Sequence, residues 1–341
     1  MIFEFTQLLI LIVSIKPDRM MLQKKTKAIT TGLLNFFLLL RHRFPGKKKF
    51  LLLFLIIAGI IVSFGFFYSS SFFKGKSDYT FSAPDKLFKL PHVLDEISGI
   101  TAIDNDEIAC VQDEIGSIFI YDIALEHLVK EYKNSLVGDF EGIAFVNNTM
   151  FVLRSDGVLV EYSDYKSVYA YTKEYYLNLP SANNEGLCYD KKNNCLLIAA
   201  KSKADDDSEK KNIRLIYSFN LQTKQVAPDP MVKLHIKRIE SKAIELNIID
   251  SKPAKHKDDS FNFRPSEIAV HPINNCIYVL SSKDKMLLIL NQKGKIEDLI
   301  ALDPAYFTQA EGMTFLSNGD MLISNEAQKG KATLLLFKYR K

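Results

Sequence analysis

The sequence predicts an all-β fold, a five-bladed β-propeller that follows an N-terminal transmembrane helix. Two observations carry this prediction. Five glutamates recur in a similar short phrase, with successive members 45, 44, 82 and 44 residues apart. Between them the chain consists of short apolar alternations that end in Asn, Asp and Gly turns. A period in the mid-forties with strand-like content is typical of one four-stranded blade. The recurring glutamates are Glu96, Glu141, Glu185, Glu267 and Glu311.

The charge distribution argues against nucleic-acid binding. The net charge is +4, and much of the basic excess lies in the first fifty residues. The remainder of the chain is close to neutral and has no basic stripe of the kind that binds nucleic acids. The apolar fraction of 47% and the charged fraction of 25% are ordinary for a folded domain.

The N-terminal region predicts a membrane anchor. Residues 50–68 contain no charged side chain, and about 20 apolar residues span a bilayer as a helix. Five basic residues come shortly before them, which places the N-terminus in the cytoplasm and exports the rest of the chain. A cleavable signal peptide and a buried core helix are the alternatives, and the first of these lacks an Ala-x-Ala site. The expected divisions are 1–49 (cytoplasmic basic segment), 50–68 (transmembrane helix), 69–83 (tether) and 84–341 (propeller).

This organisation predicts a single-pass protein of the bacterial inner (plasma) membrane, with its C-terminal domain in the periplasm or outside the cell. Each blade begins with a Glu-containing phrase in its first strand, and a hairpin leads to the second strand. After Glu311 the chain has room for three strands only. Residues 81–90 are therefore expected to supply the missing outer strand and close the ring, because closure removes exposed strand edges.

The interval of 82 residues between Glu185 and Glu267 leaves two interpretations open. We prefer five blades with an enlarged third blade, since only one set of three apolar strands occurs in this interval. A six-bladed ring is the alternative. Residues 204–212 and 252–260 are interpreted as polar loops, and residues 231–250 as a long outer strand or excursion. No long amphipathic helix is expected anywhere in the exported part.

The four cysteines show neither a CxxC pair nor a zinc-binding pattern. Cys110, Cys195 and Cys276 occur in apolar, strand-like contexts, so free buried cysteines are the first interpretation. Cys188 and Cys195 flank a short turn, and export would permit a disulfide between them.

Two sets of polar residues are expected to share one mouth of the central channel. In an up-and-down blade the start of the first strand and the end of the second lie at the same edge. The glutamates form the first set. A glycine directly follows Glu141, Glu185 and Glu311, as expected where backbones approach closely. The second set ends the second strands and comprises Asp113, Glu114, Arg154, Ser155, Asp156, Lys201, Ser202, Ser281, Ser282, Asn325 and Glu326.

Convergent carboxylates raise one another's pKa or bind a cation. Oxygen ligands alone favour Ca²⁺, and no histidine belongs to either set, which disfavours zinc and redox metals. The alternatives are that Arg154 and Lys201 pair with the glutamates, or that glutamate side chains bond backbone N–H groups between blades. Without a histidine in these sets a Ser-His-Asp triad is not expected, and no catalytic residue is predicted.

Several phrases resemble those of the SdiA-regulated family of bacterial membrane-tethered proteins. The resemblance covers about residues 84–340 and implies a five-bladed propeller, distantly similar to NHL-type repeats, with a calcium site and no established activity. Carried over by position, the five glutamates, Asp113 and Glu114 are the implied calcium ligands. The matching phrases are 94–100 (LDEISGI), 109–114 (ACVQDE), 138–144 (GDFEGIA), 152–157 (VLRSDG), 184–187 (NEGL), 264–272 (RPSEIAVHP) and 309–313 (QAEGM).

Three functions are compatible with the sequence. The first is a calcium-binding recognition module, anchored to the membrane, whose mouth binds an unknown small molecule or protein. The second is a calcium-dependent hydrolase of lactones or phosphoesters, with the metal as Lewis acid and a carboxylate as base. The hydrolase rests on analogy between folds alone. The third is a structural scaffold without a ligand at its axis.

Overall fold

The computed structural model describes residues 78–133, 136–167, 171–181, 183–201, 212–250, 261–328 and 330–341. The unit Lys76–Lys341 contains the propeller. The expected transmembrane segment at residues 50–68 lies outside the described residues. Within those residues no helix is both long and apolar enough to cross a membrane.

Five antiparallel sheets form the propeller, which confirms the predicted fold class and the preferred count of five blades. Within a blade, strands that are neighbours in the sheet are largely neighbours along the chain. A short 3-10 helix, His92–Leu94, precedes the first blade. Blade 1 contains β2 (Ile97–Ala102), β3 (Glu107–Gln112), β4 (Ile118–Asp122) and β5 (His127–Tyr132). Blade 2 contains β6 (Phe140–Val146), β7 (Thr149–Arg154), β8 (Val158–Ser163) and β9 (Tyr171–Tyr176).

The remaining blades follow the same plan, except that the outer strand of the third is split. Blade 3 contains β10 (Asn184–Asp190), β11 (Cys195–Ala200), β12 (Ile213–Asn220), β13 (Gln225–Val226) and β14 (Val232–His235). Blade 4 contains β15 (Glu267–Val270), β16 (Ile277–Ser281), β17 (Met286–Leu290) and β18 (Ile296–Ala301). Blade 5 contains β19 (Ala310–Phe315), β20 (Met321–Asn325), β21 (Thr333–Phe337) and the N-terminal strand β1 (Lys86–Lys89).

The ring of blades is closed by contacts between inner strands, and its last blade is completed by the N-terminal strand. The inner strands β2, β6, β10, β15 and β19 contact one another in that order, and β19 contacts β2. At the periphery β1 pairs antiparallel with β21, so that Phe88 lies opposite Leu334. The prediction that residues 81–90 complete the last blade is confirmed, with the paired part at Lys86–Lys89. Hydrophobic burial secures this closure, because Phe88 and Leu90 are almost fully buried.

The packed domain begins earlier than the expected boundary at residue 84. The ring of Tyr79 is only 6% exposed, and its hydroxyl donates a hydrogen bond to the Gly319 carbonyl oxygen at 2.5 Å. It packs among His271, Tyr339 and Phe315. At least part of the segment assigned to the tether therefore contributes to the core.

Blade 3 contains an element that differs from the expectation for residues 231–250. β13 and β14 both pair with β12, and the helix α1 (Ile236–Glu245) follows directly. Its buried residues Ile236, Ile239 and Ala243 have helical spacing and belong to the core between blades 3 and 4. His235 at its start makes no capping hydrogen bond with its side chain, so the usual N-terminal sequence signal is missing. The polar loops expected at 204–212 and 252–260 lie almost entirely outside the described residues.

All four cysteines are free. Cys188 lies opposite Leu197 in the β10–β11 ladder, while Cys195 lies opposite Asp190. The two cysteines are thus offset along the hairpin and form no disulfide. Cys110 is fully buried, as its apolar context predicted.

Glycines allow the inner strands to approach closely. A Cβ atom on Gly142 would lie 2.7 Å from the Leu187 Cβ and 2.8 Å from the Glu185 carbonyl oxygen. On Gly186 it would lie 2.7 Å from the Ile268 backbone nitrogen. Contacts this short with the next inner strand exclude a side chain, which explains the glycine after Glu141 and Glu185.

Candidate functional site at the propeller mouth

A β-bulge at the start of the inner strand positions one side chain in four of the five blades. The ladder between the first two strands shifts register between Ile97 and Gly99, and equivalent shifts occur in blades 2, 3 and 5. A bulge redirects the residue that it leaves unpaired. The residues at the bulge are Ser98, Glu141, Glu185 and Glu311.

The register corrects the expected equivalence of Glu96. Gly99 lies against Gly142 in the neighbouring inner strand, so the position equivalent to Glu141 in blade 1 is Ser98. Ser98 is buried, and its hydroxyl donates to the Glu96 carbonyl oxygen at 3.2 Å. Glu96 lies two residues earlier, before β2 begins, and is exposed. Blade 1 thus contributes a hydroxyl where three other blades contribute a carboxylate.

Three of the glutamates and one lysine form the centre of the mouth. Lys201 follows β11, and its Nζ donates to Glu185 Oε2 at 2.7 Å. Glu185 is 3% exposed at its side chain, whereas Lys201 is 32% exposed. Glu141 and Glu311 interact electrostatically with the same ammonium from blades 2 and 5. We call Glu141, Glu185, Glu311 and Lys201 the central cluster.

One ammonium does not neutralise the central cluster. Burial, Glu185 and Asp139 raise the pKa of Glu141. Burial also raises the pKa of Glu185 and of Glu311, although the ammonium of Lys201 opposes both shifts. Burial lowers the pKa of Lys201, but the three glutamates more than offset this and the net shift is upward. These directions indicate surplus negative charge in a poorly solvated place.

A second acidic group borders the central cluster. Burial and the neighbouring carboxylates of Glu311, Glu96 and Asp113 raise the pKa of Glu326 to about 7. Burial also raises the pKa of Asp113, whose Oδ1 is buried and makes no hydrogen bond. Glu114, next to Asp113, is exposed. Asp113, Glu326 and Glu96 thus lie near one another on the side of blades 1 and 5.

Glu267 has a different role from the other glutamates. It is fully buried, and its Oε1 accepts hydrogen bonds from the backbone N–H groups of Leu187 at 2.9 Å and Ile268 at 2.8 Å. Its blade has no bulge at this position, because Glu267 pairs directly with Leu280. Burial raises its pKa well above the usual range, although these N–H groups oppose the shift. Glu267 therefore links the inner strands of blades 3 and 4.

Ion pairs or hydrogen bonds within the protein engage four further residues of the second set, which are Arg154, Asp156, Ser281 and Asn325. Arg154 donates to Asp156 Oδ2 at 2.5 Å, whereas Lys201 pairs with Glu185. The sequence offered the alternative that both cations pair with the glutamates, and the structure shows this for Lys201 but not for Arg154. Ser281 is buried and donates to Asp284 Oδ2 at 3.0 Å. Asn325 is also buried, and its amide donates to the Tyr306 carbonyl oxygen and to Thr333 Oγ1.

Sequence reasoning missed Asp139 and Gln309. Asp139 stands two residues before Glu141, and the period of two in strands is the signal that places both on one side. It contributes to the raised pKa of Glu141 and of Glu185. Gln309 stands two residues before Glu311 in the same way, and its amide donates a hydrogen bond to Glu326.

The side chains of the mouth offer oxygen atoms, which are the ligands that hard cations such as Ca²⁺ prefer. The mouth offers carboxylate oxygens, one of them an unpaired buried oxygen on Asp113, and its glutamates have raised pKa values. In the observed side-chain arrangement no three carboxyl, imidazole or thiol groups of the described residues lie close enough to share one metal ion. The ammonium of Lys201 instead supplies the positive charge at this place.

Fold and site together define the class as a closed five-bladed β-propeller with a buried acidic cluster at one mouth of its channel. The chain belongs to the SdiA-regulated family, whose sequence model matches residues 75–329. This match confirms the resemblance and covers the whole propeller apart from its last strand. No curated protein matches the chain significantly.

Two solved structures are similar to this chain at low sequence identity. Glutaminyl cyclase from Myxococcus xanthus is similar with a TM-score of 0.51 at 12% identity, over 75% of this chain and 94% of that one. Virginiamycin B lyase from Staphylococcus aureus is similar with a TM-score of 0.40 at 11% identity, over 73% of each chain. At 12% identity the similarity to the glutaminyl cyclase concerns the fold alone.

Proposed function

We propose that this protein is a membrane-anchored recognition module that binds a cation, Ca²⁺ in first place, at the mouth of its propeller. The observation that supports this proposal most directly is the central cluster, in which glutamates from three blades face the ammonium of Lys201. The ammonium of Lys285 adds an electrostatic interaction with Glu311. A divalent cation would neutralise more of this charge than one ammonium does. Family membership supports a common propeller architecture and leaves the activity open.

Calcium would be held by Glu141, Glu185 and Glu311, with Asp113, Glu326 and the more distant Glu96 and Glu114 as additional acidic neighbours. Ca²⁺ takes about 6–8 oxygen ligands in flexible geometry, which suits carboxylates from separate blades. Lys201 would have to leave Glu185, and its long, partly exposed side chain permits this. We leave Glu267 out of this set, because it is fully buried and its Oε1 accepts hydrogen bonds from two backbone N–H groups, while its Oε2 has no hydrogen-bond partner.

Competition between calcium and Lys201 gives a specific prediction. Lys201→Met is expected to strengthen calcium binding at least tenfold, because it removes the ammonium that competes for Glu185. Glu141→Gln is expected to weaken binding by a similar factor, because it removes one ligand charge. For the wild-type protein, a hundredfold excess of calcium over its Kd should raise the free energy of unfolding by about 2.7 kcal/mol. Calorimetric titration of the purified full-length chain measures the calcium affinities, and thermal melts measure the change in stability.

The control is Glu107→Gln, which removes the same charge at the start of β3, at the opposite end of the blade. It should leave calcium affinity unchanged. Folding raises the pKa of Glu141 from 4.5 to about 9 and that of Glu185 and Glu326 to about 7, so without calcium the folded state binds more protons and loses stability as pH rises from about 4.5 to 9. Calcium should reduce that loss. Identical melting in calcium and chelator, with no calorimetric binding, would refute the calcium proposal.

The membrane anchor is proposed from residues 50–68 and the basic residues before them. A reporter that functions only in the cytoplasm, fused after Lys341, is expected to be inactive, because the C-terminal domain would be exported. The same reporter fused within residues 1–49 is the control and should be active. An active reporter after Lys341 would reverse the proposed orientation.

A calcium-dependent hydrolase is the second candidate. The pKa of Glu326, raised to about 7 by burial and by Glu311, favours it, because a general acid or base works best near the ambient pH. Assays with lactones and phosphoesters in calcium test this function. Turnover that Glu326→Gln abolishes while calcium binding persists would establish the enzyme over the recognition module.

A further inference from the structure

A pocket of about 270 Å³ lies beside the central cluster, between the β16–β17 hairpin and the segment that leads into β19. Four of its lining side chains are cationic. They are Lys201, Arg264, Lys283 and Lys285, and we call this place the basic pocket. The other lining residues are polar or acidic, and they include the hydroxyl groups of Ser266 and Ser282. A lining without apolar side chains does not suit a hydrophobic ligand.

Three of these cations lack a direct acidic partner, in contrast to Lys201. Among the described residues, Arg264, Lys283 and Lys285 take part in no salt bridge. Lys285 donates one hydrogen bond from Nζ to the Thr308 carbonyl oxygen at 2.5 Å, and an ammonium has three donors. Burial and the nearby charge of Arg264 lower the pKa of Arg214, which shows repulsion between cations on this side. The carboxylates of the mouth thus come from blades 1, 2, 3 and 5, and the unpaired cations come from blade 4.

We propose that the basic pocket binds the oxyanion of a small ligand, a carboxylate or a phosphate monoester. Several cationic donors around one small space are the chemistry that recognises such an anion. The two serine hydroxyls already have partners, because Ser266 donates to the Ala310 carbonyl oxygen at 3.1 Å and Ser282 bonds Glu311, so the cations carry the recognition. The volume admits an anionic group with a short attached skeleton and is smaller than most sites for drug-sized molecules. An anion here would offset the repulsion between Arg264 and Arg214.

The basic pocket and the central cluster share two residues, which brings a cation site and an anion site together. Lys201 and Glu311 line the basic pocket and belong to the central cluster. Coupling between the two sites rests on the proposed cation site. A cation at the cluster would draw Glu185 away from Lys201 and free the ammonium for the oxyanion. The expected ligand is therefore an acid that binds together with calcium, and the two should bind cooperatively.

The test measures oxyanion binding without calcium first. Inorganic phosphate and succinate are titrated calorimetrically into the full-length chain in chelator at constant ionic strength. Both anions are screened by salt, so constant ionic strength is essential. The double variant Arg264→Gln/Lys283→Gln removes two exposed charges and should weaken binding at least tenfold. The control Lys293→Gln removes one charge from the β17–β18 turn of the same blade, at the end away from the mouth.

Each outcome has a defined meaning. Tighter binding of phosphate assigns a phosphorylated ligand, and tighter binding of succinate assigns a carboxylic acid. Equal binding by the wild type and the double variant, or no binding of either anion, overturns the basic pocket. Repeating the titrations in calcium tests cooperativity: if calcium does not bind, the cation proposal fails, while oxyanion binding in chelator still stands on its own.

Discussion

Phe88→Ala is expected to lower the free energy of unfolding by about 3–5 kcal/mol, because it empties a buried aromatic site. Phe88 belongs to β1 and is 1% exposed. Its ring packs in the cluster that contains Leu90, Leu94 and Ile100, between blades 5 and 1. The substitution removes this packing from the strand that completes the last blade, so the closure of the ring is weakened at the N-terminal strand.

Leu87→Ala is the matched control. Leu87 is the preceding residue of the same strand and is 44% exposed, so its loss should cost about 0.5 kcal/mol. The chain contains no tryptophan, so urea unfolding is best followed by circular dichroism. Equal losses for the two variants, or no loss for Phe88→Ala, would contradict closure by this strand.

Glu267→Leu is expected to cost about 2–6 kcal/mol, since it leaves two buried N–H groups without an acceptor at about 1–3 kcal/mol each. The donors are those of Leu187 and Ile268, which both bond to Glu267 Oε1. Leucine has a similar size, so the loss measures the hydrogen bonds between the inner strands of blades 3 and 4 rather than a cavity. Chemical unfolding of the full-length chain measures it.

Glu267→Gln separates a structural role from a ligand role. Glutamine has nearly the shape of glutamate and keeps a side-chain oxygen that can accept the N–H groups of Leu187 and Ile268. This variant should lose roughly 1 kcal/mol or less and should keep the wild-type calcium affinity. A selective loss of calcium affinity in Glu267→Gln would instead make Glu267 a ligand and would contradict its role as a link between inner strands.

Repetition made much of the fold readable from the sequence. The Glu-Gly phrases of blades 2, 3 and 5 lie at the start of the inner strands. In blades 2 and 3 the glycines of these phrases, Gly142 and Gly186, are the residues that contact the neighbouring inner strand. The shortage of strands after Glu311 required an outer strand from residues 81–90, and β1 supplies it. These features depend on short phrases or on the number of strands in the chain, so they can be predicted without knowledge of the packing.

The candidate site could be predicted only in part. The phrase around Glu96 contains a glutamate and a glycine, but the spacing between them differs by two residues from that in blades 2, 3 and 5. Only the ladder register shows that Ser98 occupies the bulge. Likewise Glu185 and Glu267 begin inner strands, yet one pairs with Lys201 and the other with backbone N–H groups.

The sequence by itself determined the all-β class, the repeat of the blades, the closing strand and the acidic character of the inner strands. These follow from the period of apolar residues and from short phrases, which act over a few residues. The tertiary structure decided the register of blade 1, the helix α1, the partner of each glutamate and the basic pocket. Those depend on which side chains of distant blades meet in a poorly solvated space, where burial and neighbouring charges set the pKa of each group.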